Sequence, residues 1–430
     1  MKLICDFHIH SRYAYATSKD MNVAGIYHWA KLKGITIVGT GDCTHPSWLR
    51  ELEQKLRPAI GGLWQVESSF AEKCNQELPL SCSKQDLCFV PTVEISTIYS
   101  RGGKVRKIHQ IIVLPDFTTV HALNDILSTK GNLMADGRPT FGMDSRELLR
   151  IVRSISEEAL FIPAHVWTPW FGIFGSKSGF DSLEEAFGED QQYIVAIETG
   201  LSSDPAMNWQ IDNLRKKTIV SFSDAHSPRK LGREATVLDC KLEYRDIIDS
   251  VISNDQRLLG TIEFFPEEGK YHLDGHRACG VSFSPKETAR IEGICPVCGK
   301  QLTVGVLNRV QEVVRAQEKT AHSINKKQVE YIIPLAELLA AQAGLKNVQA
   351  KRIEEQYLQI VSAFGNEFFI LRELPLEKLV HAGYDELAKN IDDMRKGKIK
   401  IIPGFDGEYG KIQLAVAPTL SDEQQLQLDF

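Results

Sequence analysis

Over roughly its first 230 residues, the chain alternates short apolar runs, rich in β-branched residues, with stretches whose apolar residues recur at helical spacing. We interpret seven of the apolar runs as strands, which end at Asp6, Gly39, Glu94, Leu114, His165, Glu198 and Asp224. Alternating strands and helices are typical of an α/β fold built around a parallel sheet. Seven such units predict a distorted (β/α)7 barrel.

The pattern changes after Gly260. Residues 261–306 are dense in glycine, cysteine and histidine, which predicts a small separate module. Residues 307–415 show long helical periodicity, as in EYIIPLAELLAAQ, and predict a helical C-terminal region. Residues 416–430 are polar, and we expect a flexible tail there. Residues 1–260 then form the first predicted domain.

Composition indicates an ordinary globular protein, with 43% hydrophobic residues, 25% charged residues and a net charge of -6. An acidic chain can bind nucleic acid only through local basic patches, and Arg101, Lys104, Arg106 and Lys107 form one such patch. A solvated loop would look the same. Nothing resembles a secretory signal or a membrane span, so we expect a cytoplasmic protein. Nine cysteines there indicate metal ligands or buried thiols.

Most histidines and acids of chemical interest lie at or just after the ends of the predicted strands, and in a (β/α) barrel those ends converge on one mouth. His8 and His10 are two positions apart on a strand, so both side chains project to one side and can bind one metal ion. The other candidate ligands are Asp42, His45, Glu94, His109, His165, Asp224 and His226. Buried charges are costly without cations, so this collection predicts a metal site.

The ligand types indicate the chemistry. Imidazole-rich sites favour zinc, manganese or iron over magnesium. Two ions about 3.5–4 Å apart can activate a water molecule and bind both oxygens of an in-line displacement at phosphorus. The sequence contains no Walker loop, Rossmann glycine pattern or G-x-S-x-G elbow that would indicate another reaction. We therefore predict hydrolysis of a phosphate ester.

The ordered set, H-x-H, then D and H, E, H, H and D-x-H, resembles the polymerase-and-histidinol-phosphatase (PHP) family. The resemblance implies a seven-stranded barrel with two or three divalent metals (Zn, Mn or Mg), with Glu94 bridging two of them and with Asp224, Glu94 and His226 as catalytic residues. The implied ligands are His8, His10, His45, Glu94, His109, His165, Asp224 and His226. Two features depart from the family pattern. Only Tyr13 and Tyr15 stand where many members have a further acid or histidine, and GDCTH separates Asp42 from His45.

A second metal site is predicted in residues 261–306. His276 with Cys279 forms one knuckle, and Cys295 with Cys298 forms another. Four nitrogen and sulfur ligands in two knuckles suit a tetrahedral structural zinc, which would stabilise a module too small for its own core. His272 could replace His276 as a ligand, or the CPVC segment could be a redox pair.

The order of barrel, zinc knuckles, helical region and PGFDGEYGKI is similar to the endonuclease Q family. This resemblance implies a DNA-repair endonuclease that cuts on the 5′ side of deaminated bases (uracil, hypoxanthine, xanthine) or at abasic sites. By analogy with other lesion enzymes, we expect the base to be extruded from the duplex. Trp167 and Trp170 could stack on that base or wedge the duplex, although packing is the commoner role for such aromatic residues.

The C-terminal residues QLQLDF resemble the peptide with which bacterial repair enzymes bind the sliding clamp, with Gln425, Leu428 and Phe430 as its contacts. An inert tail is equally consistent with them. Two other functions stay open: a small-molecule phosphatase, such as a histidinol-phosphate phosphatase, and an inert clamp-associated module. The zinc knuckles and the helical region favour the endonuclease, and the near-complete ligand set argues against the inert module.

Overall fold

The structure, a computed structural model, describes residues 1–316 and 326–413, so the predicted tail (416–430) lies outside the described residues. The strands are β1 (Lys2–Asp6), β2 (Ile37–Gly39), β3 (Leu56–Pro58), β4 (Trp64–Val66), β5 (Cys88–Val90), β6 (Thr92–Arg101), β7 (Lys104–Val113), β8 (Thr140–Phe141), β9 (Leu160–Pro163), β10 (Ala196–Glu198), β11 (Thr218–Val220), β12 (Ala235–Asp239), β13 (Leu258–Glu263), β14 (Asp274–His276), β15 (Val281–Phe283), β16 (Gln328–Tyr331), β17 (Lys400–Ile402) and β18 (Lys411–Gln413). The helices are α1 (Val23–Lys33), α2 (Pro46–Lys55), α3 (Ser68–Asn75), α4 (Leu80–Ser83), α5 (Phe117–Ser128), α6 (Ser145–Ile155), α7 (Leu183–Phe187), α8 (Pro205–Asn208), α9 (Tyr244–Ser253), α10 (Pro285–Arg290), α11 (Val306–Ala316), α12 (Leu335–Gln342), α13 (Lys351–Phe364), α14 (Glu367–Arg372), α15 (Leu376–His381) and α16 (Asp385–Arg395).

These elements form a mixed α/β fold of several sheets. The largest sheet has eight strands in the order β16-β13-β12-β1-β2-β5-β4-β3, and a second has four in the order β8-β6-β7-β9. Strand β1 pairs in parallel with β2, β2 pairs in parallel with β5, and β10 pairs in parallel with β11. None of the helices in the described residues is long and apolar enough to cross a bilayer.

The prediction of a parallel sheet is wrong at β6 and β7, which form an antiparallel hairpin from Thr92 to Val113, and at β9, which pairs antiparallel with β7. The turn residues of the hairpin, Gly102 and Gly103, have positive φ angles of 60° and 72°. Glycine adopts these angles freely, and two such residues match the twist of a hairpin. The Gly-Gly pair between two strand patterns is therefore a hairpin signal, and it places His109 within a returning strand instead of at a strand start.

Backbone hydrogen bonds link the sheets near the metal-ligand candidates. The Cys43 N–H donates to the Thr92 carbonyl at 3.0 Å, the Val166 N–H donates to the Glu198 carbonyl at 3.2 Å, and the His10 N–H donates to the Ala225 carbonyl at 3.0 Å. A buried apolar cluster also collects side chains from the eight-stranded sheet, the four-stranded sheet and the β10–β11 pair: Leu3, Cys5, Phe7, Ile37, Val90, Ile111, Ile162, Ala196 and Val220. The closed (β/α)7 barrel stays a prediction, as do the domain limits.

The C-terminal region is largely helical, as predicted, and packs against α1. The ammonium of Lys33 and the carboxylate of Glu367 form a buried ion pair at 2.7 Å. The Tyr357 hydroxyl and the Leu335 N–H also donate to Glu367, at 2.8 and 3.0 Å. A buried ion pair is stable only when its remaining polar atoms are satisfied, as they are here. Strand β16 interrupts the helices and joins the large sheet beside β13.

Two glutamates lie close together at one end of the β12–β13 pair. The antiparallel register pairs Ala235 with Ile262, Glu234 directly precedes Ala235, and Glu263 directly follows Ile262, so the two carboxyl groups interact electrostatically. Both glutamates are fully buried. Burial raises the pKa of Glu263 to about 8. Burial and the charge of Glu263 raise the pKa of Glu234 well above its usual range. The charged and polar groups that face this pair are Glu198, Asp204, Arg233, Ser221, Thr199, Thr261 and Tyr331.

We predict that the free energy of unfolding falls by about 3 kcal/mol or more between about pH 5 and pH 8, because the folded acids hold protons that the unfolded chain releases near its ordinary glutamate pKa. In Glu263→Gln, the free energy of unfolding should fall less between these two pH values. Denaturant titrations at both pH values measure this difference. The exposed Glu157 provides the control, and Glu157→Gln should keep the parent's slope. Equal slopes for the parent and Glu263→Gln would contradict the prediction.

Candidate metal centre

Four predicted ligands, carried by or following three strands, meet at one point. His8 and His10 follow β1, Glu94 lies in β6, and Asp224 follows β11. One ligand atom from each of these residues lies within 4.8 Å of the others. Glu94, His109 and His165 form a second group, and their ligand atoms also lie within 4.8 Å of one another. Glu94 belongs to both groups, so its carboxylate lies between two clusters of imidazoles.

The two oxygens of Glu94 face different histidines. Its Oε2 lies 3.5 Å from His8 Nε2 and 3.2 Å from His10 Nε2. Its Oε1 lies 2.7 Å from His109 Nδ1 and 2.9 Å from His165 Nε2. A carboxylate that offers one oxygen to each of two ligand groups is suited to bridge two cations.

The polar atoms at this point fit bound cations. His8 Nε2, His10 Nε2 and Asp224 Oδ1 are buried and have no hydrogen-bond partner among the described residues. Converging buried atoms of this kind are costly unless an ion satisfies them. Imidazole and carboxylate together suit zinc, manganese or iron. The donor set therefore fits divalent metals.

The electrostatics of the centre are strongly perturbed. Burial opposes ionisation of Glu94, but His109, His8 and Arg138 hold the pKa of its carboxyl well below its usual range. Burial lowers the pKa of His109 to about 4. A neutral imidazole beside an ionised carboxylate is the protonation state in which both groups bind metals.

The backbone at the centre is strained. Asp42, His165 and Asp224 have φ angles of 47°, 28° and 46°, in the left-handed region that non-glycine residues rarely adopt. Such conformations cost free energy and persist only where the surrounding structure fixes them. The fold thus maintains an unfavourable backbone geometry at these three predicted ligands.

Three predicted ligands lie outside both groups. The carboxylate of Asp42 bonds His10 Nδ1 at 3.0 Å and accepts from the Ser11 N–H at 2.6 Å. His45 caps α2 by accepting from the Trp48 N–H. The Nδ1 of His226 lies 2.9 Å from the Asp224 carbonyl oxygen, and its ring centroid lies 4.5 Å from that of His10. Asp42 therefore orients a ligand histidine, and His226 lies at the edge of the centre.

Sequence reasoning missed two residues of the centre. Glu198 was recognised only as a strand end, but its Oε1 lies 2.8 Å from His8 Nδ1, and its Oε2 accepts from the His165 N–H at 2.6 Å. Arg138 donates from its guanidinium to Glu94 Oε2 at 3.1 Å. The strand-end position of Glu198 matches that of the predicted ligands and was a usable signal. Arg138 lies in a loop without a motif.

An open cleft of about 830 Å³ lies over the centre. Its lining includes His109, His165, Asp224 and His226 from the centre, the cationic residues Arg138, Lys230, Arg233 and Lys270, and the aromatic residues Trp170, Tyr271 and Tyr409. Trp170 is 43% exposed. The cleft combines metal-ligand candidates, positive charge and aromatic surface.

The remaining residues predicted to bind DNA lie elsewhere. Trp167 is only 1% exposed, and its indole N–H donates to Asn208. Arg106 is buried and pairs with Glu185 at 2.9 Å. Neither side chain offers surface to DNA in this structure. Arg101 and Lys104 flank the turn of the β6–β7 hairpin, and Lys104 is exposed.

A separate group of possible metal ligands lies in the small module. His276, Cys279, Cys295 and Cys298 bring their ligand atoms within 4.8 Å of one another. Burial works against ionisation of Cys295, but the backbone N–H groups of Cys298 and Val297 lower its pKa to about 6. A thiolate is the form of cysteine that binds metal. His272 is buried outside this group, so the structure favours His276 as the histidine.

Comparison with known proteins places these sites in context. Residues 334–398 match the family model described as the MJ0043 C-terminal domain. The uncharacterized protein MJ0043 of Methanocaldococcus jannaschii is 31% identical over 257 residues, which are 57% of this chain but 31% of that protein. The chain therefore matches about a third of the length of MJ0043. The uncharacterized protein YqxK of Bacillus subtilis is 26% identical over 96% of this chain and 99% of its own length.

The fold and the bridged His, Glu and Asp groups define the chain as a mixed α/β protein with a candidate two-metal centre. The crystal structure of the lesion-specific endonuclease PfuEndoQ from Pyrococcus furiosus matches 99% of this chain and 99% of its own, with a TM-score of 0.81 and 26% identity. Endonuclease Q in complex with a 27-mer duplex with an abasic lesion at the active site matches 98% of this chain and 100% of its own, with a TM-score of 0.82 and 27% identity. Over nearly its whole length, the chain is therefore similar to endonuclease Q.

We predict that Glu198→Gln lowers the affinity of the centre for Mn²⁺ by about 10–100-fold, because a neutral amide holds His8 and the His165 backbone less firmly. Isothermal titration of the metal-stripped protein measures this affinity directly. The exposed Glu184 is a matched control, and Glu184→Gln should bind Mn²⁺ as the parent does. If Glu198→Gln binds Mn²⁺ as tightly as the parent does, Glu198 does not contribute to the metal centre.

Proposed function

We propose that this protein is a DNA-repair endonuclease that hydrolyses a phosphodiester of damaged DNA at the centre around Glu94. The observation that carries the proposal is the position of Glu94 between two ligand groups, whose members His109, His165 and Asp224 line an open cleft of about 830 Å³. The whole-length likeness to endonuclease Q supports it, since one such enzyme was crystallised with an abasic lesion at its active site.

The substrate we propose is duplex DNA with a deaminated base (uracil, hypoxanthine or xanthine) or an abasic site, cut on the 5′ side. The aromatic residues of the cleft suit a base displaced from the stack, because stacking on a side chain compensates for lost base stacking. The four cationic residues of the cleft suit the DNA backbone. We assign Trp170, and not the buried Trp167, to the DNA-binding surface.

Two or three divalent ions (Zn, Mn or Mg) complete the proposed centre. His8, His10, Glu94 and Asp224 would hold one ion, and Glu94, His109 and His165 would hold another. Such ions would supply Lewis-acid activation of a water molecule near neutral pH. Glu94 and Asp224 are the proposed catalytic carboxylates. His226, at the cleft surface, is assigned to proton transfer to the leaving oxygen.

The remaining proposals concern the scaffold and the partners. The links between sheets and the shared apolar cluster support a distorted (β/α)7 barrel around the centre. The group of His276 and three cysteines supports one structural zinc in the module.

A cytoplasmic location stays a proposal from the sequence. Binding of the sliding clamp through Gln425, Leu428 and Phe430 also stays a proposal from the sequence, since these three residues lie outside the described part of the chain.

The function is tested with an end-labelled duplex that carries one deoxyuridine or one abasic site, incubated with Mn²⁺ or Mg²⁺ beside histidinol phosphate. We expect a nick on the 5′ side of the lesion, at a rate that falls steeply with salt because phosphate contacts dominate binding. Asp224→Ala should lower kcat by about 10³-fold or more. The exposed Asp249 supplies the control, and Asp249→Ala should cut like the parent. Hydrolysis of histidinol phosphate without nicking would contradict the proposed function.

The zinc proposal predicts that Cys295→Ser lowers the zinc content by one ion per chain and lowers the melting temperature, because the module has little core of its own. Elemental analysis and a thermal melt measure both effects. Cys74 is a partly buried thiol outside the group, so Cys74→Ser serves as the control. If Cys295→Ser keeps the parent's zinc content, the four residues do not form the site.

A further inference from the structure

Arg138 is held beside Glu94 by the pairing of two strands. Strand β8 pairs in parallel with β6, with Ser96 opposite Thr140. The Ser96 N–H donates to the carbonyl of Pro139 at 3.0 Å. Extending this register back by two residues brings Arg138 alongside Glu94. The backbone, and not only the ion pair, therefore places the guanidinium at the centre.

The residue before Arg138 allows this close approach. A Cβ on Gly137 would lie 2.3 Å from Asp42 Oδ2, so no larger residue fits there without a shift. The Gly137 N–H donates to the Tyr13 carbonyl at 3.0 Å. The Arg138 N–H donates to Asp136 Oδ1 at 2.9 Å. These contacts fix the loop independently of the Arg138 side chain.

The Arg138 side chain faces the cleft. It is 25% exposed, it lines the cleft, and its bond to Glu94 uses one of the five N–H donors of a guanidinium. Arg233, another cation of the cleft, donates to the backbone carbonyls of Ser223 and Asp224. Within the described residues, Arg138 is thus the cleft arginine that contacts a shared metal-ligand carboxylate.

Charge balance indicates what Arg138 binds during catalysis. Glu94 and Asp224 contribute two negative charges to the ligand groups, and Glu198 and Asp42, which bond the ligand histidines, contribute two more. Two divalent cations and the Arg138 guanidinium would bring five positive charges against these four, and the cations would repel the guanidinium. An anionic oxygen between the guanidinium and the ions removes this repulsion. A phosphodiester supplies such an oxygen, and arginine is well suited to bind it.

We propose that Arg138 is a catalytic residue whose guanidinium binds a non-bridging oxygen of the scissile phosphodiester and stabilises the charge that develops there. This inference rests on the proposed function. A merely structural Arg138 would act only as the counter-ion of Glu94. The two roles differ in their effects on kcat, on metal affinity and on chemical rescue.

The test compares Arg138→Met and Arg138→Lys with the parent on lesion-containing duplex at saturating Mn²⁺. We expect kcat to fall about 100-fold or more in the methionine variant, with KM changed less than about 3-fold. The lysine variant should lose about 10-fold, because an ammonium lacks the planar donor pair. Added guanidinium ion should restore part of the activity of Arg138→Met. Calorimetric Mn²⁺ affinity without DNA should stay within about 3-fold of the parent's.

Arg150 provides the matched control, since it is 62% exposed and pairs with Asp190 on the surface. Arg150→Met should match the parent in every readout, because exposed ion pairs contribute little. A thermal melt checks the fold, and the charge-conserving lysine variant decides the outcome if the methionine variant unfolds.

Two results would overturn the role of Arg138: parent-like kcat in both variants, or a Mn²⁺ affinity that falls as far as kcat does. The second result would make Arg138 a counter-ion that only positions Glu94. If the parent itself fails to nick damaged DNA, the proposed function fails instead. The role of Arg138 is then tested by the same comparison on bis(p-nitrophenyl) phosphate, a general phosphodiester.

Discussion

A fully buried carboxylate, Glu94, faces imidazoles on both sides, and the rest of the centre depends on that arrangement. A buried charge is tolerated only when it is paired and hydrogen-bonded, because desolvation is otherwise too costly. Each Glu94 oxygen has two histidines within 3.5 Å. The carboxylate can therefore serve as the common ligand of two cations, and the strands that carry these residues must bring them to this point.

The surrounding acids fix how the histidines present their rings. Glu198 bonds Nδ1 of His8, and Asp42 bonds Nδ1 of His10, so the Nε2 atoms of both rings face Glu94 and Asp224. A carboxylate behind an imidazole sets its tautomer and raises its basicity as a metal ligand. Arg138 completes the arrangement from the cleft side. Orientation by neighbouring residues, and not the ligand set alone, makes the centre suitable for catalysis.

The sequence predicted the centre as far as periodicity could. His8, His10 and Asp224 follow strands and Glu94 lies within one, so their convergence could be predicted from strand positions. The roles of individual residues depended on contacts across the chain. Asp42 has the chemistry of a ligand, but its neighbours His10 and Ser11 occupy both oxygens.

Burial and chain direction were the features that local patterns could not supply. Trp167 and Arg106 are residue types that can bind DNA. In the structure, however, the Trp167 indole N–H donates to Asn208 and the Arg106 guanidinium donates to Glu185, and both partners are far away in the sequence. The Gly-Gly turn between β6 and β7 is visible in the sequence, but the apolar runs on either side of it are assigned to a parallel sheet by their periodicity alone. Arg138 depends on the pairing of a two-residue strand, β8, which carries no periodicity.

Anomalous diffraction from crystals soaked in Mn²⁺ tests the central claim most directly. The account predicts two manganese peaks beside Glu94, one at the Oε2 side with His8, His10 and Asp224, and one at the Oε1 side with His109 and His165. A map without manganese at Glu94, or with manganese only beside Asp42 and His45, would contradict it.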